Sequence, residues 1–276
     1  MDVYYVNSKN QRVYFTQIPY VLLDGGTIFD YSLSYTTTAG KEKPRIKNFS
    51  NNLKKGDMTI IVSGKTREEY CENINNLMDV IAYDVNNNTS GKLYCGEQYC
   101  SGYFFENKHG TTYNNSRRAE LKLNFITENG KWIKETPYSF ESKTLSLSNV
   151  KKYAYKYPYR YSISAGENSI ENSHYADCNF KLRIYGPCVN PHIIIGTHRY
   201  QVWTILTAGE WLEIDSIHNE VYKVMVNGTK VSLFNERDKL SSVFEKIPPG
   251  RQRVAAPGTF NFDLILYEER SEPEWN

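Results

Sequence analysis

The sequence predicts a mainly β protein with two domains and a single helix. Aromatic residues make up 14% of the chain, including 23 tyrosines, and Tyr is a residue type that strands favour. Apolar and polar residues alternate in several runs. The clearest case spans residues 260–266, where Phe260, Phe262, Leu264 and Leu266 would share one face of a half-buried strand.

Turn residues separate the strand-forming runs. Residues 13–15 and 121–125 are further runs rich in strand formers. Glycine pairs with Asp, Asn or Pro between such runs, a composition typical of turns. The turn signals are Asp24-Gly25-Gly26, Asn129-Gly130, Asn227-Gly228 and Pro248-Pro249-Gly250.

One segment has the pattern of a helix. Thr66 followed three residues later by Glu69 is a capping box, which marks a helix start. Apolar residues then recur at helical spacing, at Cys71, Ile74, Leu77, Met78 and Ile81. We expect a helix over about 67–83 that packs on a sheet through this stripe.

The pattern weakens over residues 137–150, where serines accumulate. We place the domain boundary there, which predicts an N-terminal domain over 1–148 and a C-terminal domain over 149–276. The first domain is expected to be β with one helix. The second is expected to contain only short strands and regular turns, as in a β-sandwich.

Charge and targeting signals argue against nucleic-acid binding, secretion and membrane insertion. The chain has 33 basic and 31 acidic residues and no basic stripe, so we expect no nucleic-acid contact. The start lacks a basic segment followed by an apolar run, unlike a signal peptide. No apolar stretch approaches the ~18 residues that a membrane span needs. We therefore expect the five cysteines to be mostly free thiols of a protein made in a reducing cytosol.

A P-loop is suggested by Ser63-Gly64-Lys65-Thr66, which lies between an apolar strand and the predicted helix. That motif also needs a glycine five residues before Gly64, because the backbone must curl around a phosphate. Thr59 occupies that position. The sequence therefore favours a turn followed by a helix cap.

A metal site is suggested by Cys188, His192 and His198. Gly196-Thr197 resembles a two-residue hairpin turn, which would pair Ile195 with His198. His192 would then point to the opposite face. Because zinc ligands must converge on one point, we predict no metal and no cofactor.

Cys95 and Cys100 leave two alternatives open. A four-residue loop between them would place them opposite each other, within reach of a disulfide. A two-residue turn would not.

Glu213 and Asp215 suggest a pair of catalytic carboxylates beside Trp211. Two strand steps would separate them by ~6.6 Å at the backbone. A glycosidase needs its carboxylates on two sides of the scissile bond, whereas these point the same way from one strand. We predict an ordinary strand with these acids facing outward, no catalytic residue and no enzyme.

A tyrosine occurs at every second position over 153–161. These residues, Tyr153, Tyr155, Tyr157, Tyr159 and Tyr161, would form one aromatic face. A stacking platform for sugar or single-stranded nucleic acid is one interpretation. A domain or subunit interface is favoured, because Lys152, Lys156 and Arg160 would lie on the other face and Tyr is common at interfaces. Together with Trp211 these tyrosines are the candidate interface or glycan-facing residues.

Several short segments occur in an order that resembles a known family. Each consists mostly of turns and strand ends, and their order spans nearly the whole chain. They include Ile18-Pro19-Tyr20, Leu23-Asp24-Gly25-Gly26, Phe29-Asp30-Tyr31, Gly91-Lys92-Leu93-Tyr94, Ile184-Tyr185-Gly186-Pro187, Val226-Asn227-Gly228 and Ser271-Glu272-Pro273-Glu274-Trp275. In this order the chain resembles the distal tail proteins of long-tailed phages that infect low-GC Gram-positive bacteria, the siphophage-type baseplate hub proteins.

The resemblance implies a β-barrel-like N-terminal domain that forms a six-membered ring and continues the tail tube. The helix would belong to a belt-like extension, and a galectin-like β-sandwich would point outward. The implied partners are other copies of the chain, the tail tube protein, a tail-tip hub or tail-associated protein, and receptor-binding or baseplate proteins. The implied location is the virion tail tip, after assembly in the host cytoplasm, with no membrane contact.

Two other functions remain as alternatives. A galectin-like sandwich could be a carbohydrate-binding module for host cell-wall glycans. Exposure of Trp203 and Trp211 in a polar groove would support that interpretation, and burial at a contact would oppose it. A glycan hydrolase would rest only on Glu213 and Asp215.

Overall fold

The structure is a computed structural model that describes residues 2–31, 33–40, 43–50, 53–113, 117–142 and 168–274. It forms two compact units, one of Met1–Lys134 with Glu269–Asn276 and one of Glu135–Glu268. The boundary expected between residues 148 and 149 lies outside the described residues. So does the predicted tyrosine face of Tyr153, Tyr155, Tyr157, Tyr159 and Tyr161.

The described residues of the first unit form ten complete strands, the start of an eleventh and the helix. The elements are β1 Val3–Val6, β2 Arg12–Tyr14, β3 Thr16–Gln17, β4 Tyr20–Asp24, β5 Ser34–Thr38, β6 Arg45–Ser50, β7 Lys54–Ser63, α1 Arg67–Asn87, β8 Gly91–Cys95, β9 Gln98–Tyr113, β10 Arg118–Thr127 and β11 Trp132–Phe140.

The remaining strands belong to the second unit, except for the end of the last. They are β12 Asn168–Asn172, β13 Asn179–Tyr185, β14 Cys188–Val189, β15 His192–Ile195, β16 His198–Gln201, β17 Ile205–Leu206, β18 Trp211–Asp215, β19 Glu220–Val224, β20 Lys230–Ser232, β21 Gly250–Ala255 and β22 Phe262–Arg270. A short 3-10 helix spans Phe234–Glu236.

The main sheet of the first unit is antiparallel, in the order β2-β1-β8-β9-β10-β7-β4-β3. The long strand β9 joins its halves, because it pairs with β8 near its start and with β10 further along. Among the described strands, β2 pairs only with β1, and β3 pairs only with β4. The described part of the chain is therefore mainly β, as predicted. Its antiparallel sheets do not close into a barrel.

Helix α1 packs on this sheet through Leu77, Val80 and Ile81. Its start confirms the predicted cap, because the Glu69 amide donates to Thr66 Oγ1 at 3.2 Å. Gly64 and Lys65 form the short link between β7 and this cap. The helix runs four residues beyond the predicted end. Cys71 was wrongly placed on the apolar face, since it is exposed.

The second unit is a β-sandwich, as predicted. One antiparallel sheet has the order β20-β19-β18-β13-β22-β11, and the other has β12-β21-β15-β16. Apolar residues of both sheets form one core, with Leu182 and Leu264 from the first and Ile193 and Val254 from the second. The alternation predicted over 260–266 is confirmed by the burial of its four apolar residues. Likeness to galectins stays a prediction.

Two predicted registers can be compared with the structure. Ile195 pairs with His198 across a two-residue turn, as predicted. Cys95 pairs with Gln98, so the turn beside it is also of two residues, and Cys100 pairs with Leu93 instead. The five cysteines, all of them described, form no disulfide.

Within the described residues, no group of three or more His, Cys, Asp or Glu side chains could hold a metal ion. No helix among them is long and apolar enough to cross a membrane.

Candidate functional site

The β5–β6 hairpin of the first unit is exposed along its whole length. All 5 residues of β5 and all 6 residues of β6 are exposed. Among the described strands these two pair only with each other. Because an isolated two-stranded hairpin is only marginally stable in water, this hairpin is suited to gain its stability from a partner.

A bulge gives the hairpin one apolar face. Tyr35 lies directly opposite Phe49, and Thr37 lies opposite Ile46. Directly opposed residues share a face, and Tyr35 and Thr37 are two positions apart. The extra residue, Lys47, therefore brings Ile46 to the side of Phe49, although three positions separate them.

The side chains of this apolar face are largely open to solvent. Tyr35 is 62% exposed, and Ile46 and Phe49 are each 57% exposed. The hairpin also carries the exposed cations Lys43, Arg45 and Lys47. Its described residues, 34–40 and 43–50, include no acidic side chain. The hairpin thus combines an apolar face with positive charge.

A second apolar surface lies at the end of the main sheet. Ile18 is 79% exposed, Leu23 is 55% exposed and Val21 is 38% exposed. These three residues, here called the apolar strip, lie on β4 and in the turn that joins it to β3. Asp24 and Asp30 are exposed close by along the chain. The strip therefore combines apolar side chains with negative charge.

Tyr20 fixes the orientation of the apolar strip. Its buried ring anchors β4, and its hydroxyl donates to the backbone oxygen of Asn73 in α1 at 2.8 Å. Asn76 donates to the same hydroxyl at 3.2 Å. Because adjacent side chains of a strand point to opposite faces, the anchored Tyr20 directs Val21 outward.

Glu213 and Asp215 are buried, contrary to the prediction that they face outward into solvent. They are 4% and 6% exposed. They do lie on the face opposite Leu212, but side chains from the neighbouring strands β13 and β19 cover them there. Arg183 on β13 donates to Glu213 Oε2 from Nη2 at 2.7 Å and from Nε at 3.1 Å, and Lys181 lies 3.4 Å from both carboxylates.

Further partners complete this charged cluster. Tyr222 on β19 donates its hydroxyl to Glu213, and His218 Nδ1 lies 3.1 Å from Asp215 Oδ2. Burial alone would raise the pKa of Glu213, but hydrogen bonds from Tyr222 and Arg183 and the charge of Lys181 lower it below its ordinary value. These contacts hold β13, β18 and β19 together.

The two tryptophans do not form a polar groove. The Arg183 guanidinium lies 5.6 Å from the centre of the Trp211 ring, and Trp211 Nε1 is buried with no hydrogen-bond partner among the described residues. Trp203 is 50% exposed, and its backbone N–H donates to the Glu236 carbonyl oxygen at 2.8 Å. Two positions further along the chain, the exposed Ile205 pairs with the exposed Val189. Such exposed apolar side chains are more typical of a protein contact than of a sugar site.

Comparison by sequence found no relative: no protein-family model matches the chain, and no curated protein matches it either. Comparison with solved structures found similar folds. The Dit protein of phage SPP1, a paradigm of the hub adsorption apparatus in phages that infect Gram-positive bacteria, aligns with a TM-score of 0.60 and 13% identity over 98% of both chains.

Two structures of the phage P2 baseplate in its activated conformation also match. The one with Ca has a TM-score of 0.61 and 10% identity, and the one with Sr has a TM-score of 0.59 and 11% identity, each over 99% of both chains. Identities this low carry information on the fold alone. Over nearly its whole length, therefore, this chain has the fold of the phage distal tail and baseplate hub proteins that its sequence resembles.

Proposed function

We propose that this chain is a structural component of a phage tail tip, and that six copies form a hub ring which joins the tail tube to receptor-binding parts. Its partners are then other copies of itself, the tail tube protein, a tail-tip hub or tail-associated protein and baseplate proteins, and its location is the virion. The single observation that carries self-assembly is the β5–β6 hairpin, whose apolar face is uncovered in one copy.

The fold supports the proposal because the likeness to a phage hub protein extends over both units and leaves no large segment unmatched. An exposed edge or hairpin in a β-rich protein promotes aggregation unless another chain covers it. A ring covers every copy with the same contact and ends growth by closing on itself. The two units would then have different tasks, with assembly in the first and outward attachment in the second.

An enzymatic role has little support in the geometry. Glu213 and Asp215 are the carboxylates that suggested hydrolysis, and both are held by cations and hydroxyls from neighbouring strands. A carbohydrate-binding role also has little support, because Ile205 of β17, two positions after Trp203, and its partner Val189 of β14 are exposed and apolar. We therefore carry the structural role forward alone.

Light scattering across a concentration series tests the proposal. We expect a species of six times the 32.0 kDa chain mass, in equilibrium with monomer, and rings with a central opening in electron micrographs. Phe49→Asp should shift the protein to monomer. The matched control Thr36→Asp, on the other face of the same hairpin, should leave the mass unchanged.

A strict monomer at every concentration, with no rings in micrographs, would contradict the proposal. A pull-down on purified Gram-positive cell walls would then decide the carbohydrate alternative. Binding that Trp203→Ala abolishes would support a glycan-binding module.

A further inference from the structure

We infer that the apolar face of the β5–β6 hairpin of one copy binds the apolar strip, Ile18, Val21 and Leu23, of a second copy. The inference rests on the self-assembly proposed above and specifies its contact. It is a head-to-tail contact, because the two surfaces belong to different elements of the same unit.

Apolar matching is the first argument. The hairpin face presents Tyr35, Ile46 and Phe49, each more than half exposed, and the strip presents Ile18 and Leu23, also more than half exposed. Burying apolar surface drives association. Aromatic residues such as Tyr and Phe are enriched in the centres of protein interfaces.

Charge complementarity is the second argument for the strip as the partner surface. Lys43, Arg45 and Lys47 accompany the hairpin face, whereas Asp24 and Asp30 accompany the strip. Complementary charges steer two surfaces together and fix their register. A third carboxylate in this region, Asp57, already pairs with Lys122 at 2.9 Å, so it is not needed for the contact.

Two further features concern geometry. The strip lies on β4 and in the turn that joins it to β3, and β3 is the last described strand at this end of the main sheet. No residue of β5 or β6 is buried against the rest of the first unit. Each copy can thus donate one hairpin and accept one, and such a heterologous contact produces a closed ring or an open filament.

Engineered cysteines test the inference even if association is weak. Cys71 is exposed, so all variants carry Cys71→Ser to remove its reaction. With an added oxidant, chains carrying both Leu23→Cys and Phe49→Cys should give a ladder of covalent oligomers on denaturing gels. Neither single variant should cross-link to itself, and an equal mixture of the two should give dimers.

Two results would overturn this docking and leave self-assembly intact. One is covalent dimers of the Phe49→Cys variant alone, which would indicate a symmetric hairpin–hairpin contact. The other is a hexamer by mass with no cross-link in any sample. A monomer by mass with no cross-link would overturn both proposals.

Mixing two association-defective variants provides an independent test without cysteines. Leu23→Asp retains the hairpin and Phe49→Asp retains the strip, so each alone should be monomeric. Their mixture can form one intact contact and should yield dimers and nothing larger. Thr36→Asp is the matched control and should keep the wild-type mass. If Leu23→Asp alone still forms the full assembly, the hairpin binds elsewhere.

Discussion

The hydroxyl of Tyr5 donates to Asp84 Oδ2 at 2.5 Å in the interior of the first unit. The other carboxylate oxygen, Oδ1, accepts from the Ser8 amide at 2.8 Å and from the Ser8 hydroxyl at 2.6 Å. Burial, and then the Asp84 carboxylate, raise the pKa of the Tyr5 hydroxyl. One fully buried side chain thus fastens the end of α1 to β1 and to the loop after it.

We expect Asp84→Ala to lower the free energy of unfolding by about 3 kcal/mol, because it leaves the buried Tyr5 hydroxyl without its acceptor and removes two hydrogen bonds from Ser8. Urea denaturation at pH 7 measures this loss. Tyr5→Phe in the Asp84→Ala background should then cost little more, since its partner is already gone. Additive losses would show that the two residues act independently.

Gly56 and Gly228 test two different reasons for glycine. A Cβ on Gly56 would lie 2.6 Å from Ile28 Cα, so Gly56→Ala should cost about 2–3 kcal/mol through overpacking. A Cβ on Gly228 would meet nothing within 4 Å, but its φ is +81°, so Gly228→Ala should cost about 1 kcal/mol. Thermal unfolding of both variants checks the order, and a larger loss at Gly228 would contradict it.

Acid should destabilise the second unit through Glu213 and Asp215. Both pKa values are lowered in the folded state, from ordinary values of 4.5 and 3.8. A carboxyl with a lowered folded pKa contributes stability that is present above its unfolded pKa. That contribution is lost as the pH falls through the folded value, so the loss should occur below about pH 4.5.

Glu213→Gln should lower the free energy of unfolding by roughly 2 kcal/mol at pH 7, because Arg183 and Lys181 lose a charged acceptor. The variant should also show a weaker dependence of stability on pH between 5 and 3. Glu220→Gln, at an exposed position on β19, is the control and should behave like wild type. Parallel pH profiles of the variant and wild type would contradict the role of Glu213.

The native protein should have one rapidly reacting thiol. Cys71 is exposed, whereas Cys95, Cys100 and Cys178 are buried, and burial raises the pKa of Cys95 and of Cys188 to about 11. The thiolate is the reactive form, so a disulfide reagent at pH 8 should modify Cys71 first. Cys71→Ser should remove this fast phase, and its persistence would place another cysteine at the surface.

Local signals in the sequence were sufficient for several elements. Thr66 and Glu69 fixed the start of α1, because a capping box involves neighbours in the chain. Gly196-Thr197 determined the pairing of Ile195 with His198, since a short turn sets hairpin register. Alternation over 260–266 identified the buried face of β22 because the strand period is two residues.

The tertiary structure alone decided which polar residues are buried. Asp84 follows the predicted end of the helix and looks like a surface residue, yet donors from Tyr5 and Ser8, more than 70 positions away, cover it. Glu213 is covered by Arg183, 30 positions away. A single segment carries no information about which distant donors will surround it.

The same limit applies to exposure. Residues 34–50 have the composition of an ordinary strand pair, with Tyr35, Ile46 and Phe49 as candidates for a core. The bulge places them on one face, and each is more than half exposed. Strand propensity is local and can be read from the chain, whereas burial depends on which other surfaces of the folded unit meet the strand.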